Sequence, residues 1–411
     1  MPQDLITLAE FAKRRERILS ALKGAVAVYF AGDGAASLHG IWQADPSFQS
    51  LTGIADEQGA AVLFDPGNDN PRHRCILFLR PINPELERWD GLREEIGAGL
   101  KQRTGFGTIM RTNHLPRMLT NAVRRRKRFA LLHPFAVYDA PVSPDLAVYR
   151  KLAERIPGVA LEDQTQLLAQ MRSIKSAAEL HLMRRAAAAT AEGYQAAMAA
   201  IRPGANEADV QHALEMGFKR AGARGAAYNS IVGSGLNGTV LHYHANNATL
   251  EDGDLIVIDA GASFGPAGAA YACDVTRTFP VSGKFTREQR ELYSIVLRAQ
   301  EAAIRAAKPG AHLVNDIDAA ARSIIDKAGY GDFYMHGIGH HLGLEVHDIT
   351  PDGTLKPGMV LTIEPGIYLA DRKTGIRIED DVVITRSGNE IITRAIPKSI
   401  DAVERAMAAA R

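Results

Sequence analysis

Asp259 and Asp274 recur 105 positions later as Glu364 and Glu379 (364 − 259 and 379 − 274 both give 105). Their surroundings recur with them. Thr249-Leu250-Glu251-Asp252-Gly253 reads like Thr354-Leu355-Lys356-Pro357-Gly358, Gly261 matches Gly366, and His242 matches His347. Two copies of so long a unit do not make a solenoid, so the repeat predicts two α/β halves about a pseudo-two-fold axis, with the acids meeting at the axis. Four carboxylates crowded where water is scarce repel one another strongly, and cations must neutralise them. The repeat therefore predicts a two-metal centre, and a hydrolase built on it.

Helix signals repeat in step with the acids. Ser176, with Glu179 three residues on, forms a capping box ahead of an Ala-rich stretch unbroken until Arg202-Pro203-Gly204, which predicts a long helix. Asn206 and Asp209 open another that ends at Gly222. Thr286 and Gln289 form a second capping box; the helix behind it runs to Lys308-Pro309-Gly310, and the next closes near Gly329. The amino-terminal part instead alternates helical stretches with β-rich runs: Ala25 to Phe30, Ala60 to Phe64, Cys75 to Leu79 and Phe129 to Leu132. A short helix is expected from about Asp145 to Arg155. A chain of 411 residues allows two or three domains of about 100 to 200 residues each. The pattern places the division near Ser173, giving domains 1–172 and 173–411.

Composition narrows the partners. With 48 basic and 47 acidic residues the net charge is +1, so no global field favours nucleic acid, an anionic membrane or an acidic substrate. Only Cys75 and Cys273 are present, too few for a disulfide framework or a cysteine zinc site, which points to a reducing compartment, the cytoplasm. Met1 to Leu22 is broken by charges and lacks the apolar core of a signal peptide, and no run approaches a membrane span. The run Arg124-Arg125-Arg126-Lys127-Arg128 has no aromatic partners and reads as a solvated helix end.

The apolar run Leu255-Ile256-Val257-Ile258 ends on Asp259, and Val360 to Ile363 delivers Glu364 in the same way. Strand ends hold side chains more rigidly than loops do, as a metal site requires. One such acid reads equally well as a turn residue, but four in phase within apolar sequence read as ligands. Asp274 and Glu379 each stand before a further strand-like run. One acid from each copy can cap one cation while the other pair bridges both, and more donors are still needed. The stretch from His336 to His347 supplies four histidines, His336, His340, His341 and His347. Cys273, beside Asp274, falls on the opposite face of the strand by alternation and reads as a small buried residue.

The order Asp, Asp, His, Glu, Glu lies in the settings Ile258-Asp259-Ala260-Gly261, Asp274-Val275-Thr276-Arg277-Thr278, His336-Gly337-Ile338-Gly339-His340, Ile363-Glu364-Pro365-Gly366 and Ile378-Glu379-Asp380. It resembles the proline-directed branch of the pita-bread metallopeptidases (peptidase family M24), the branch of Xaa-Pro aminopeptidases and prolidases, over about Met171 to Ile396. The implied fold is a small amino-terminal α/β domain followed by a pseudo-two-fold pita-bread (creatinase/aminopeptidase) catalytic domain, α/β (α+β) in class. The resemblance implies that Asp259 caps one metal, that His340 and Glu364 bind the other, and that Asp274 and Glu379 bridge them. It also implies that His242 and His347 act on the substrate or its protons, with His336, Tyr368 and Arg377 lining the pocket. His244 and His341 are left without a role. The expected cations are two manganese ions, with cobalt or zinc as substitutes, because oxygen donors and one imidazole suit a hard ion. A hydroxide bridging them is the expected nucleophile, with Glu364 or a histidine moving the proton to the leaving nitrogen.

The implied substrate is a peptide or dipeptide with proline second. An aminopeptidase acting on longer peptides, a prolidase restricted to dipeptides and a non-catalytic binding module all remain open. Members of this family carry a shorter connection between the two Asp ligands, whereas here Gly265-Pro266-Ala267-Gly268 lengthens it, most simply as a hairpin turn. The segments Trp42 to Gly53 and Glu87-Arg88-Trp89-Asp90-Gly91 resemble the amino-terminal domain of Xaa-Pro aminopeptidases. In that family the domain closes over a neighbouring subunit's active site, which implies a homodimer or homotetramer.

Overall fold

Both capping boxes form. Ser176 Oγ accepts from the Glu179 amide at 3.2 Å while the Ser176 amide donates to Glu179 Oε2 at 2.7 Å, opening the helix Ala177–Ala200. Thr286 and Gln289 make the same exchange at 3.3 and 2.9 Å ahead of Arg287–Ala306. Each long helix leads to a shorter one, Glu207–Arg220 in the first half and Ala319–Lys327 in the second. The second is reached through a π-helical turn, Leu313–Asp318, that its counterpart lacks.

The computed structural model describes residues 5–32 and 42–410, so the first four residues of the charged amino terminus lie outside it. Two compact units are present. One comprises residues 173–265 and 270–410, the other the described residues of 5–172 together with 266–269.

In the larger unit each half presents a small antiparallel sheet. In the first, Leu255–Asp259 lies between Ile231–Ser234 and Thr276–Pro280, with Asp259 opposite both Ile231 and Thr276. In the second, Asp380–Ile384 lies between Val360–Ile363 and Asn389–Ile391. The place of Ile231–Ser234 is taken by an irregular stretch: the Thr362 amide donates to His340 O at 2.9 Å, the Glu364 amide to Ile338 O at 2.8 Å, and His341 bridges Leu361. Ile256, Ile258, Val360 and Ile363 are fully buried, so the strands that carry Asp259 and Glu364 are anchored in core. Apolar burial of this kind stabilises by about 1.5 to 3 kcal/mol per large side chain and fixes where the strand ends fall.

The longer connection is a hairpin. Ala262–Phe264 pairs with Tyr271–Ala272, with the Gly-Pro-Ala-Gly stretch at its tip. Gly261 sits so close under the next strand that a Cβ there would lie 1.6 Å from Cys273 O, which excludes any other residue. Cys273 itself is fully buried.

The smaller unit has a four-stranded sheet in the order Ala27–Phe30, Ala61–Phe64, Cys75–Leu79 and Ile109–Arg111, and a parallel pair, Arg128–Leu131 with Ala160–Asp163. The expected helix near Asp145 is Pro144–Ala153. Helix Leu115–Arg126 ends in left-handed Lys127. Arg125, Arg126 and Arg128 of that basic run meet Asp65, the Gly67 carbonyl and Glu162, so these three serve the fold around them.

Candidate metal centre

Asp259, Asp274, Glu364 and Glu379 all reach one cavity of about 560 Å³, together with His340, His336, His242, His347 and Arg377. Asp274, His340 and Glu379 offer ligand atoms that lie within 4.8 Å of one another. His340 Nε2 stands 3.4 Å from Asp274 Oδ2 and 3.5 Å from Glu364 Oε1. Four oxygen-donor side chains and one imidazole converge, a set suited to a hard divalent cation.

The strand arrangement explains the convergence. Asp259 and Glu364 stand at the ends of buried strands, while Asp274 and Glu379 each stand just before the partner strand of the same hairpin. The Glu379 amide donates to Thr276 O at 3.0 Å, tying the two hairpins side by side.

Charges in the cavity are crowded. Burial pushes the Glu364 carboxyl up to about 7, against the pull of His340 and Arg377, and Asp274 and Asp259 add to the rise. Burial and the neighbouring acids push Glu379 well above the carboxylate range. Asp259 is raised by burial despite Arg377. Burial works to lower the His340 imidazole, but its bond to Asp274 and the charges of Asp274 and Glu364 lift it to about 9. Bound cations reverse this pressure by stabilising every carboxylate in its charged form.

Fixed donors relieve part of the charge. Arg377 donates to Asp259 Oδ2 at 2.6 Å, to Tyr368 OH at 2.9 Å and to Thr276 Oγ1 at 3.0 Å. Thr276 Oγ1 in turn donates to Glu379 Oε2 at 2.6 Å. The Tyr228 hydroxyl lies 2.5 Å from Asp259 Oδ1 and also meets Asp274 Oδ1. A hydroxyl has one proton, so it can satisfy only one of two ionised carboxylates; the other needs a proton or a cation. Each ligand oxygen retains a lone pair beyond these contacts, so the residues present fit a metal.

Tyr228 did not emerge from the sequence. Its position counts forward to Phe333 (333 − 228 = 105), which has no hydroxyl, so the repeat carries no signal for it.

His336 Nε2 meets Tyr368 OH at 2.8 Å, joining a chain that runs through Arg377 to Asp259. Burial lowers the His336 imidazole to about 4, with Arg377 adding to the fall. The His347 ring lies 4.1 Å from that of His340, and burial followed by the His340 charge lowers its basicity. The two histidines left without a role separate. His244 lines the cavity beside His242, with ring centroids 6.4 Å apart. His341 is buried, with an imidazole lowered to about 4 by burial and by Lys175.

His340 has no twin, and strand register shows why. It lies opposite Thr362, the repeat partner of Val257 (362 − 257 = 105), and Val257 lies opposite Gly233. The structural counterpart is therefore Gly233, not the Gly235 obtained by counting 105 residues back. A Cβ at Gly233 would stand 2.8 Å from Asn237 O, because the 3₁₀ turn Gly235–Thr239 folds back over it. No side chain fits there.

The chain is similar to known proteins along most of its length. The model of metallopeptidase family M24 matches residues 181–386, and that of the aminopeptidase P N-terminal domain matches residues 11–132. The chain is 36% identical to a Xaa-Pro aminopeptidase of Haemophilus influenzae, covering 88% of each, and 33% identical to one of Escherichia coli, covering 99% of each. The solved structure of Pseudomonas aeruginosa aminopeptidase PepP is similar with a TM-score of 0.85 at 33% identity, covering 99% of both chains. The chain belongs to metallopeptidase family M24, and its fold is an amino-terminal α/β domain followed by a pita-bread catalytic domain.

Proposed function

We propose that the protein is a two-metal Xaa-Pro aminopeptidase, which hydrolyses the bond between the first residue of a peptide and a proline in second place. The observation that carries this reading is the meeting of the four repeated acids with His340 in one cavity. The similarity of both domains to Xaa-Pro aminopeptidases over nearly the whole chain supports it. The domain boundary in this reading falls between residues 172 and 173.

Asp259 would cap one cation, His340 and Glu364 the other, and Asp274 and Glu379 would span both. The bound cations, manganese first and cobalt or zinc in its place, supply a polarised carbonyl and a water acidified towards neutrality. Glu364 takes a proton from the attacking water and delivers it to the proline nitrogen as the C–N bond breaks and the C–O bond forms. His347 donates to the substrate near the scissile bond, and His242 holds the peptide or assists proton movement. Tyr368, His336 and Arg377 form one hydrogen-bonded wall against which the substrate seats. The acids draw the peptide's free ammonium group to the end of the cavity, which limits cleavage to the first residue. Among the described residues no helix is long and apolar enough to cross a membrane. The reading places the enzyme in the cytoplasm as a homodimer or homotetramer.

The test is hydrolysis of Xaa-Pro and Xaa-Pro-Xaa peptides by metal-stripped protein, with and without added manganese. Release of the first residue from the longer peptide, dependent on the cation, is the expected result. Cleavage of dipeptides alone would make the protein a prolidase, and loading without any hydrolysis would make it a binding module.

A further inference from the structure

His242 and His244 reach the cavity from the stretch 235–248, which has no strand to stiffen it. The 3₁₀ turn Gly235–Thr239 is followed by irregular backbone on which both histidines are exposed. Glu207, in the first turn of helix Glu207–Arg220, is fully buried against this stretch.

Its carboxylate accepts five hydrogen bonds. Oε1 receives the Ser234 amide at 2.7 Å, the Ser234 hydroxyl at 2.9 Å and Asn237 Nδ2 at 3.1 Å. Oε2 receives the Tyr243 hydroxyl and the Ala248 amide, both at 2.9 Å. Asn237 Nδ2 also donates to Tyr243 OH at 3.0 Å, closing a ring of three side chains. A buried carboxylate is costly unless donors fill its lone pairs, and here every donor comes from the stretch bearing His242 or from the residue that opens it. Both ends of that stretch, Ser234 and Ala248, are thus fastened to one side chain, as is the immediate neighbour of His242. Asn246 adds a second fastening in a left-handed conformation (φ 44°), donating to Ser230 O at 2.7 Å and accepting from the Val232 amide at 3.0 Å.

From these contacts we infer that Glu207 is a positioning residue for His242, setting where the imidazole stands in the cavity without itself lining it. The inference rests on the role given to His242 above. A displacement of about 1 Å at such a group costs on the order of 100-fold in rate.

The test uses full-length, cation-loaded protein and an Xaa-Pro-Xaa peptide. Glu207→Gln turns an N–H towards donors and is expected to lower kcat about 10- to 100-fold with cation content unchanged. Tyr243→Phe removes one fastening and lowers kcat less. In a His242→Ala background neither substitution lowers the rate further, a result that a merely structural role would not give. Wild-type kcat in both single variants, or an equal loss with and without His242, overturns the inference. If Glu207→Gln does not fold, Tyr243→Phe and its cycle with His242→Ala decide alone. Wild-type protein that cleaves no Xaa-Pro peptide refutes the functional reading instead. Hydrogen exchange then decides the inference: Tyr243→Phe must speed exchange in 234–248, and unchanged exchange there overturns it.

Discussion

Asp259 in the first half has both carboxylate oxygens engaged by fixed donors, Tyr228 at 2.5 Å and Arg377 at 2.6 Å. Its repeat partner Glu364 meets a threonine hydroxyl at 3.2 Å and the His340 imidazole at 3.5 Å. The duplicated scaffold thus supplies equivalent acids and inequivalent neutralisers. Asp259 stands beside an arginine and a phenol, and Glu364 beside an imidazole. The loops that carry the repeated histidines differ in the same way. His242 stands on a stretch fastened by neutral donors to Glu207, whereas His347 precedes Asp348, which forms a buried ion pair with Lys175 at 3.1 Å. The backbone delivers equivalent acids in both halves, and the side chains around them differ.

The comparison breaks most severely if the acids common to both halves are not joint ligands. Asp274→Ala is expected to cut peptide hydrolysis by more than the about 10- to 100-fold that loss of a group behind the ligands produces, with cation content falling in parallel. Undiminished content and rate would remove Asp274 from the site. Next in size, Lys175→Met removes the buried ion pair with Asp348 and should cost about 3 to 5 kcal/mol in urea unfolding. A neutral result would mean that the His347 loop is not held by charge.

Tyr228→Phe sharpens the contrast between neutralisers. It should lower the rate about 10- to 100-fold, while Thr362→Val, the analogous loss of a hydroxyl from Glu364, lowers it less; the reverse order would invert the comparison. The smallest effect comes from the amino-terminal unit and serves as a reference outside both halves. Burial works to raise the Asp145 carboxyl, but bonds from His133 and Ser143 hold it down to about 2. Its folded pKa is depressed, so its stabilisation is complete above about pH 4 and fades as pH falls towards 2. Asp145→Asn should lose that dependence and about 1 to 3 kcal/mol, as pH-dependent thermal unfolding would show.

Much of this was legible in the chain because short-range patterns carried it. Capping boxes at Ser176 and Thr286 and β-branched runs ending on Asp259 and Glu364 mark elements whose causes lie within a few residues. The repeat then joined distant acids that no local pattern relates. What stayed hidden depends on register or on reach across the fold. Tyr228 lies 31 and 46 residues from the two acids it contacts, and Arg377 crosses from one half to Asp259 in the other, 118 residues away. The counterpart of His340 shifts from Gly235 to Gly233 because the connections in the two halves differ in length, which a fixed offset cannot register. His244 and His341 looked alike as unassigned histidines, and only folding turned one into the cavity and the other into the core.

Calorimetric titration of metal-stripped protein with manganese, for wild type and His340→Ala, tests the central claim most directly. Two bound ions of unequal affinity in the wild type, with one of them lost in the variant, is the predicted result. A single ion, or two equal ions that His340→Ala leaves untouched, would contradict a two-metal site made asymmetric by that histidine.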